Sequence, residues 1–138
     1  MDTALADPWS NNEELGSRVA RLAGSRVASV HLTESPRLIW ARIAGRLCRS
    51  EVDDVCDALA GRAVRAQTVL DLRAVTEIDG AGVGCVLMLQ AAAARGGGTV
   101  AVLAAGPVLE ALRPLSRGGR IELIDLVEGA RLLLEAGG

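Results

Sequence analysis

A repeated change of hydrophobic period is the feature of this sequence that most constrains its fold. From residue 37 onward, short strand-like apolar segments such as TVLDL (68–72) and TVAVL (99–103) alternate with longer segments of helical spacing. The resulting order is β-α-β-α-β-α-β-α, closing with RIELID (120–125) and LVEGARLLLEAGG (126–138). Such alternation predicts an α/β fold: a mostly parallel central sheet with helices packed on it through right-handed crossovers.

A second pattern overlaps the first of these units. RVASVHL (26–32) and RLIWARIAG (37–45) alternate residue by residue, and TESP between them has turn chemistry, so the three segments predict an N-terminal β-hairpin. Residues 13–24 carry Leu15, Val19 and Leu22 at helical spacing, which indicates a short helix. We therefore divide the chain into a loose leader, residues 1–26, and one domain, residues 27–138.

Two predicted helices carry more detailed expectations. RSEVDDVCDALAGRAV (49–64) changes to helical spacing, with Ser50 as a plausible N-cap and acidic residues in the first turn. In the closing helix, helical spacing predicts four residues that face the core: Leu126, Ala130, Leu133 and Leu134.

Composition limits the classes of function. The chain has 138 residues, of which half are hydrophobic, and its net charge is −2, so it resembles a globular protein rather than a basic nucleic-acid-binding one. No apolar run reaches the roughly 20 residues that a membrane helix needs. The acidic N-terminal segment MDTALADPWSNNEE does not resemble a secretory signal. We expect a cytoplasmic protein without direct membrane insertion or nucleic-acid binding.

The residues that usually carry catalysis are scarce. His31 is the sole histidine and lies in a predicted strand, so no catalytic triad can be assembled around it. The three cysteines have no CxxC pair, which argues against a zinc site. ARGGGT (94–99) follows a helix instead of opening one, and GAGVG (80–84) lacks dinucleotide-binding spacing. We predict no enzyme activity, no catalytic residue, no metal and no cofactor.

The segment EIDGAGVG (77–84) stands between a predicted strand and a predicted helix. Asp79 has the residue type and position of an N-cap, and the small residues after it permit close packing of the first helical turn. Small side chains also expose backbone N–H groups at the positive end of the helix dipole. The segment can therefore be a helix cap, a binding surface, or both.

Several segments together resemble the STAS domain family, which includes bacterial anti-sigma-factor antagonists and modules of sulphate transporters. RLIWARIAGRL resembles the family's apolar strand ending in Gly-x-Leu. TVLDLRAVTEIDGAGVGCVLML resembles its strand, Asp-Leu, short loop and helix opened by Asp-[Ser/Thr]-[Ser/Thr]-Gly-Leu-Gly. GGGTVAVLAAGPVLEALRPL and IELIDLVEGARLLL follow in the same order, so the resemblance covers about residues 27–136. It implies a small sheet with helices mainly on one face.

The resemblance also implies a switch that this chain lacks. In switchable family members, the residue after the loop aspartate is a Ser or Thr that a partner kinase, itself the anti-sigma factor, phosphorylates. The added charge blocks binding of that kinase. Here the position is Gly80, followed by Ala81, and neither residue has a hydroxyl group. The acid that often follows Gly-x-Leu in the family is replaced by Cys48.

The resemblance thus predicts a partner-binding surface that phosphorylation does not regulate at this position. The expected partner is an anti-sigma factor or serine kinase, and a homodimer is also possible. The alternative is an accessory STAS subunit of a bacterial ABC lipid-transport system that docks on its ATPase, since that group has Asp-x-Ala-Gly in this loop.

A redox role for Cys48 and Cys85 is a less favoured addition, with ordinary buried thiols expected instead. The residues predicted to form the partner-binding surface are Thr76, Glu77, Asp79, Gly80, Ala81, Gly82, Val83, Gly45, Arg46 and Cys48.

Overall fold

A computed structural model of the chain describes residues 17–21, 29–63 and 67–137. The strands are β1 (Ser17–Arg21), β2 (Ser29–Glu34), β3 (Leu38–Leu47), β4 (Gln67–Ile78), β5 (Thr99–Leu103) and β6 (Glu122–Leu123). The helices are α1 (Arg49–Ala63), α2 (Gly80–Gly96), α3 (Gly106–Arg117) and α4 (Leu126–Gly137).

The six strands form one sheet in the order β1-β2-β3-β4-β5-β6. β1 and β3 both pair antiparallel with β2, whereas β3, β4, β5 and β6 pair in parallel. The predicted hairpin is β2 and β3, joined at the predicted turn, and the predicted parallel order of the later strands is confirmed. Each parallel connection contains one helix, as the alternating sequence pattern requires.

The two faces of the sheet carry separate apolar clusters because side chains along a strand alternate between faces. In β3, Ile39, Ala41 and Ile43 belong to a large core that also contains residues of α1, α2 and α3. Leu38 and Trp40 point to the other face, where they join Val69 and Leu103 beneath Leu132 and Leu133 of α4. Three of the four helices therefore share one face, in agreement with the predicted α/β class and arrangement.

The prediction of a short helix at residues 13–24 is wrong for the part that the structure describes. Ser17–Arg21 is instead strand β1, in register with β2 from the pair Ser17–Thr33 to the pair Arg21–Ser29. Hydrogen bonding to β2 outweighs a weak helical spacing interrupted by glycine. The other leader residues of that prediction, Val27 of the predicted hairpin and Val64 of the predicted helix lie outside the described residues.

The closing helix forms as predicted, but most of its predicted inward face is wrong. Leu126 and Leu134 are 43% and 76% exposed, and Ala130 is also exposed. The packed side contains Leu132, Leu133 and Gly129, where an added Cβ atom would lie 3.0 Å from the Trp40 ring. The apolar stripe of α4 is broad, because Glu128, Arg131 and Glu135 lie together on one side and leave more than half of the circumference apolar. The spacing alone therefore does not identify the part of that stripe that meets the sheet.

Candidate functional site

The carboxyl ends of β3 and β4 bring the two predicted segments of the site together. Arg46 is the register partner of Glu77, and Leu47 that of Ile78. β4 ends at Ile78 and α2 begins at Gly80, so Asp79 alone connects them. The segment between the predicted strand and the predicted helix is thus the end of β4, one connecting residue and the first turn of α2.

The carboxylate of Asp79 caps two helices. Its Oδ1 atom accepts a hydrogen bond from the Gly82 amide at 2.9 Å, which confirms the predicted N-cap of α2. Its Oδ2 atom accepts from the Arg49 amide at 3.0 Å, at the start of α1. Hydrogen bonds from the backbone amides of Gly82 and Arg49 hold the pKa of Asp79 below its usual value. The contact of Asp79 with the start of α1 was not predicted, because the two residues are 30 positions apart in the chain.

The small residues after Asp79 have different surroundings. A Cβ atom on Gly82 would lie 2.1 Å from the carbonyl oxygen of Leu47, so only glycine fits where α2 meets the end of β3. A Cβ on Gly80 would meet nothing within 4 Å, and Gly80 is exposed. The close packing expected of all three small residues therefore belongs to Gly82, whereas Gly80 has room for a side chain.

Cys48 and Glu51 form the entrance to α1. The Glu51 carboxylate accepts from the Cys48 amide at 3.2 Å, which is the backward half of a capping box. The Cys48 thiol donates to the Glu77 carbonyl at 3.8 Å, and it is buried. α1 begins at Arg49, so Ser50 lies within the first turn, and the prediction that Ser50 is the N-cap is wrong. The three-residue spacing from Cys48 to Glu51 is the sequence signal that could have located this cap.

Arg46 and Glu77 form an exposed ion pair beside Asp79. The Arg46 Nε atom lies 3.4 Å from the Glu77 carboxylate, and both side chains are about half exposed. Gly45 precedes Arg46 with a φ angle of 93°, at an irregularity in the pairing of β3 with β4. Such bulges turn a side chain away from the regular alternation of the strand. Here the bulge places a cation at the rim of the site.

Burial divides the ten predicted residues into those that a partner could touch and those that shape the site. Cys48 and Gly82 are buried, and Val83 is partly buried against the core. Gly45 and Ala81 are half-buried. The exposed members form what we call the cap surface, which continues along α2 through Gly84 and Met88, the latter 47% exposed. The predicted residues on the cap surface are Thr76, Glu77, Asp79, Gly80 and Arg46.

The cysteines are arranged differently from the pair considered in the sequence. All three are free and buried. Cys85 of α2 shares a hydrogen bond with Cys56 of α1, whereas Cys48 bonds to Glu77. The hydrogen bond with Cys56 and burial raise the pKa of the Cys85 thiol. A high pKa keeps that thiol neutral, which favours packing over reactivity.

The residues considered for other chemistry lie apart from the cap surface. His31 is half-buried in β2, opposite Arg42 of β3. Within residues 29–63 and 67–137, no three His, Cys, Asp or Glu side chains are grouped so that they could hold a metal ion. None of the helices in the described part of the chain is long and apolar enough to cross a membrane.

Solved structures with the same fold include an anti-sigma factor antagonist from Mycobacterium and SpoIIAA, itself an anti-sigma factor antagonist, in two forms. One from Mycobacterium paratuberculosis has a TM-score of 0.62 at 16% identity, covering 86% of this chain and 100% of that one. Unphosphorylated SpoIIAA has a TM-score of 0.59 at 18% identity, covering 79% and 99%. The phosphorylated form of Bacillus SpoIIAA has a TM-score of 0.58 at 17% identity, covering 75% and 96%. These similarities concern the fold.

Sequence comparison gives the family. No curated protein matches the chain. Residues 30–128, well over half of the chain, match the family described as "Mlab, STAS domain". This span begins in β2 and ends in α4, and it contains the parallel strands, α1, α2, α3 and the cap surface. The chain therefore belongs to the STAS domain family.

Proposed function

We propose that this STAS protein is a regulatory binding module of the bacterial cytoplasm, not an enzyme, and that the cap surface binds an anti-sigma factor of the switch-kinase type. Phosphorylation after the helix cap does not regulate that binding, because Gly80 offers no hydroxyl group. We assign the STAS domain to residues 27–138, and the preceding leader, residues 1–26, adds strand β1 to the edge of its sheet.

The surroundings of Gly80 carry this proposal. Gly80 is the first residue of α2, exposed and without steric constraint, so neither packing nor backbone strain requires glycine there. A serine would fit, and its absence removes a phosphoacceptor without altering the surface around it. The similar folds include SpoIIAA, an anti-sigma factor antagonist solved in both unphosphorylated and phosphorylated forms. This relationship supports an anti-sigma factor as the partner of our chain.

The test measures binding and phosphate transfer with a purified anti-sigma kinase from the source bacterium and labelled ATP. We expect the wild-type protein to bind equally well before and after incubation with ATP and to incorporate no phosphate. Gly80→Ser should bind, become phosphorylated at residue 80, and then lose binding at least tenfold. Gly84→Ser, an equally unconstrained position one turn later, is the matched control and should acquire no switch.

Two results would contradict the proposal. Kinase-dependent phosphate on wild-type Thr76, the one hydroxyl side chain between residues 76 and 85, would show that a switch remains. Failure of every anti-sigma kinase of that bacterium to bind the wild-type protein would remove the proposed partner.

The family description favours a second candidate, an accessory subunit of an ABC lipid-transport system. The matching family is described as "Mlab, STAS domain". Ala81 also agrees with the Asp-x-Ala-Gly pattern that we expect in such transporter subunits. In this case the cap surface docks on the transporter ATPase. Co-purification of the chain with an ATPase and permease in fixed stoichiometry, lost on Met88→Glu, would support this candidate over the first.

A further inference from the structure

An open groove runs between α3 and the edge of the sheet, away from the cap surface. Its volume is about 540 Å³, within the range of small-ligand sites. β6 ends the strand order, so no described strand covers this side. None of the ten predicted partner-binding residues lines the groove. Its lining consists of Ala104, Leu109, Arg113, Ser116, Arg117, Leu123, Ile124 and Asp125.

The α3 side of the groove presents side chains at helical spacing. Leu109, Arg113, Ser116 and Arg117 recur at i, i+4, i+7 and i+8, and thus lie on one face of the helix. At 1.5 Å per residue the row extends about 12 Å. A row of this length suits repeated contacts along a peptide better than a single contact with a small ion.

The charges of the groove favour an acidic occupant. Arg113 pairs with Glu110 at 3.1 Å on an exposed helix surface, where such pairs are weak and exchange readily. Arg117 is exposed and has no ion-pair partner within the described residues. Asp125 already accepts the Glu128 amide at 2.8 Å and so caps α4. Two arginines therefore face the groove in a chain whose net charge is −2.

Aliphatic surface continues from the groove. Leu109, Leu123 and Ile124 line it and are only partly buried. Leu126 and Val127 directly follow Asp125 and are 43% and 79% exposed. Large aliphatic side chains exposed beside a cationic side chain such as that of Arg117 are typical of protein-binding surfaces.

We propose that the groove between α3 and β6 binds a segment of another protein that presents carboxylate side chains beside aliphatic ones. The carboxylates pair with Arg113 and Arg117, and the aliphatic side chains pack on Leu109, Leu123 and Val127. This contact is separate from the cap surface, so the domain can hold two partners at once.

The test uses a fluorescein-labelled 12-residue peptide of alternating leucine and glutamate pairs, and the same peptide with lysine for each glutamate. We expect saturable binding of the acidic peptide and at least tenfold weaker binding of the lysine peptide. Arg117→Glu should weaken binding of the acidic peptide at least tenfold. Arg95→Glu is the matched control, since both arginines are exposed in the last turn of a helix. Amide chemical-shift changes should map to residues 104–127.

Other occupants give different results. Shift changes confined to residues 76–88, equal effects of the two arginine substitutions, or no saturation at millimolar peptide would each overturn the proposal. A wild-type dimer in sedimentation equilibrium that Arg117→Glu dissociates would make a second copy the occupant instead. Decanoate that perturbs residues 104–127 when the acidic peptide does not would indicate a small amphiphile. The kinase test of the cap surface involves none of these groove variants, so each proposal can fail alone.

Discussion

At the residue scale, three glycines in the first turn and a half of α2 have unequal roles. Gly82 lies against the Leu47 carbonyl, whereas nothing approaches within 4 Å of a Cβ at Gly80 or Gly84. The sequence shows three glycines with similar neighbours and cannot distinguish them. The distinction depends on where β3 ends, which is a contact between residues 35 positions apart in the chain.

Gly82→Ala should therefore lower the free energy of unfolding by about 3 kcal/mol, at the upper end of overpacking costs, because backbone atoms must move to admit a methyl group. Gly84→Ala adds the same methyl group where there is room, and should raise stability by about 0.5–1 kcal/mol through helix propensity. Urea unfolding of the two variants measures the difference. Equal effects would show that α2 does not pack against Leu47 as described.

Asp71 is a buried residue that the sequence did not single out, because it lies in the apolar segment TVLDL. It is fully buried, accepts from Trp40 Nε1 at 3.2 Å, and pairs with Arg73 at 2.6 Å. Burial alone raises its pKa, but the hydrogen bonds and charge of Arg73, with the bond from Trp40, bring the pKa below its usual value. The carboxylate is thus ionised inside the fold.

Asp71→Asn should lower the free energy of unfolding by about 2–3 kcal/mol, because it removes the buried negative charge that pairs with the Arg73 guanidinium. The partial exposure of Arg73 moderates the loss. Glu110→Gln makes the same chemical change in an exposed pair and should cost less than about 1 kcal/mol. Chemical denaturation at pH 7 compares the two. A cost for Asp71→Asn no larger than the control would contradict the buried pair.

At the element scale, strands and helices were predictable to the extent that one periodicity dominated. β4, β5, α2 and α3 were predicted because each has a single clear pattern bounded by polar or glycine residues. The packed face of α4 could not be predicted as precisely, because its apolar stripe is wider than the part that contacts the sheet. The sequence predicts a helix where β1 forms, because the strand character of β1 depends on its pairing with β2. The partner of Asp79 at the start of α1 likewise depends on tertiary packing.

Adjacent leucines test the face assigned to α4. Leu133 packs on the Trp40 cluster, whereas Leu134 is 76% exposed. Leu133→Ala should cost about 1–2 kcal/mol, below the range for a fully buried leucine because the side chain is only half-buried. Leu134→Ala should change stability by less than about 0.5 kcal/mol. The reverse order in thermal or urea unfolding would place the helix on its other face.

At the scale of the whole molecule, stability depends on carboxylates distributed over both sides of the sheet. Asp71 lies on the α4 side, Asp79 at the entrance to α1 and α2, and Glu128 beside Arg131 on α4. Hydrogen bonds hold the pKa of each of these three carboxylates below its usual value. For Glu128 the donor is the guanidinium of Arg131. All three carboxylates are therefore more acidic in the folded protein than in the unfolded chain.

Acid should consequently destabilise the fold. The contribution of these groups is complete above their unfolded pKa values, about 3.9 for Asp and 4.3 for Glu. This contribution is lost as the pH falls through the lower pKa values that the groups have in the folded protein, because the unfolded chain then binds more protons than the folded one. Urea unfolding between pH 2 and pH 7 should show stability falling below about pH 4.5, and less steeply for Asp71→Asn. An unchanged slope in that variant would contradict the assigned pKa direction.

The double hydrogen bond of Asp79 has a consequence for how the protein opens. Because the two oxygens of one carboxylate hold the first turns of α1 and α2, a movement of the Asp79 side chain that breaks one hydrogen bond also disturbs the other. The amides of Arg49 and Gly82 should therefore exchange with deuterium at matched rates, as parts of one local opening unit. Asp79→Asn, whose amide group can replace one oxygen but not both, should leave one helix start protected and speed exchange at the other. A partner that covers the cap surface should slow exchange at both helix starts together.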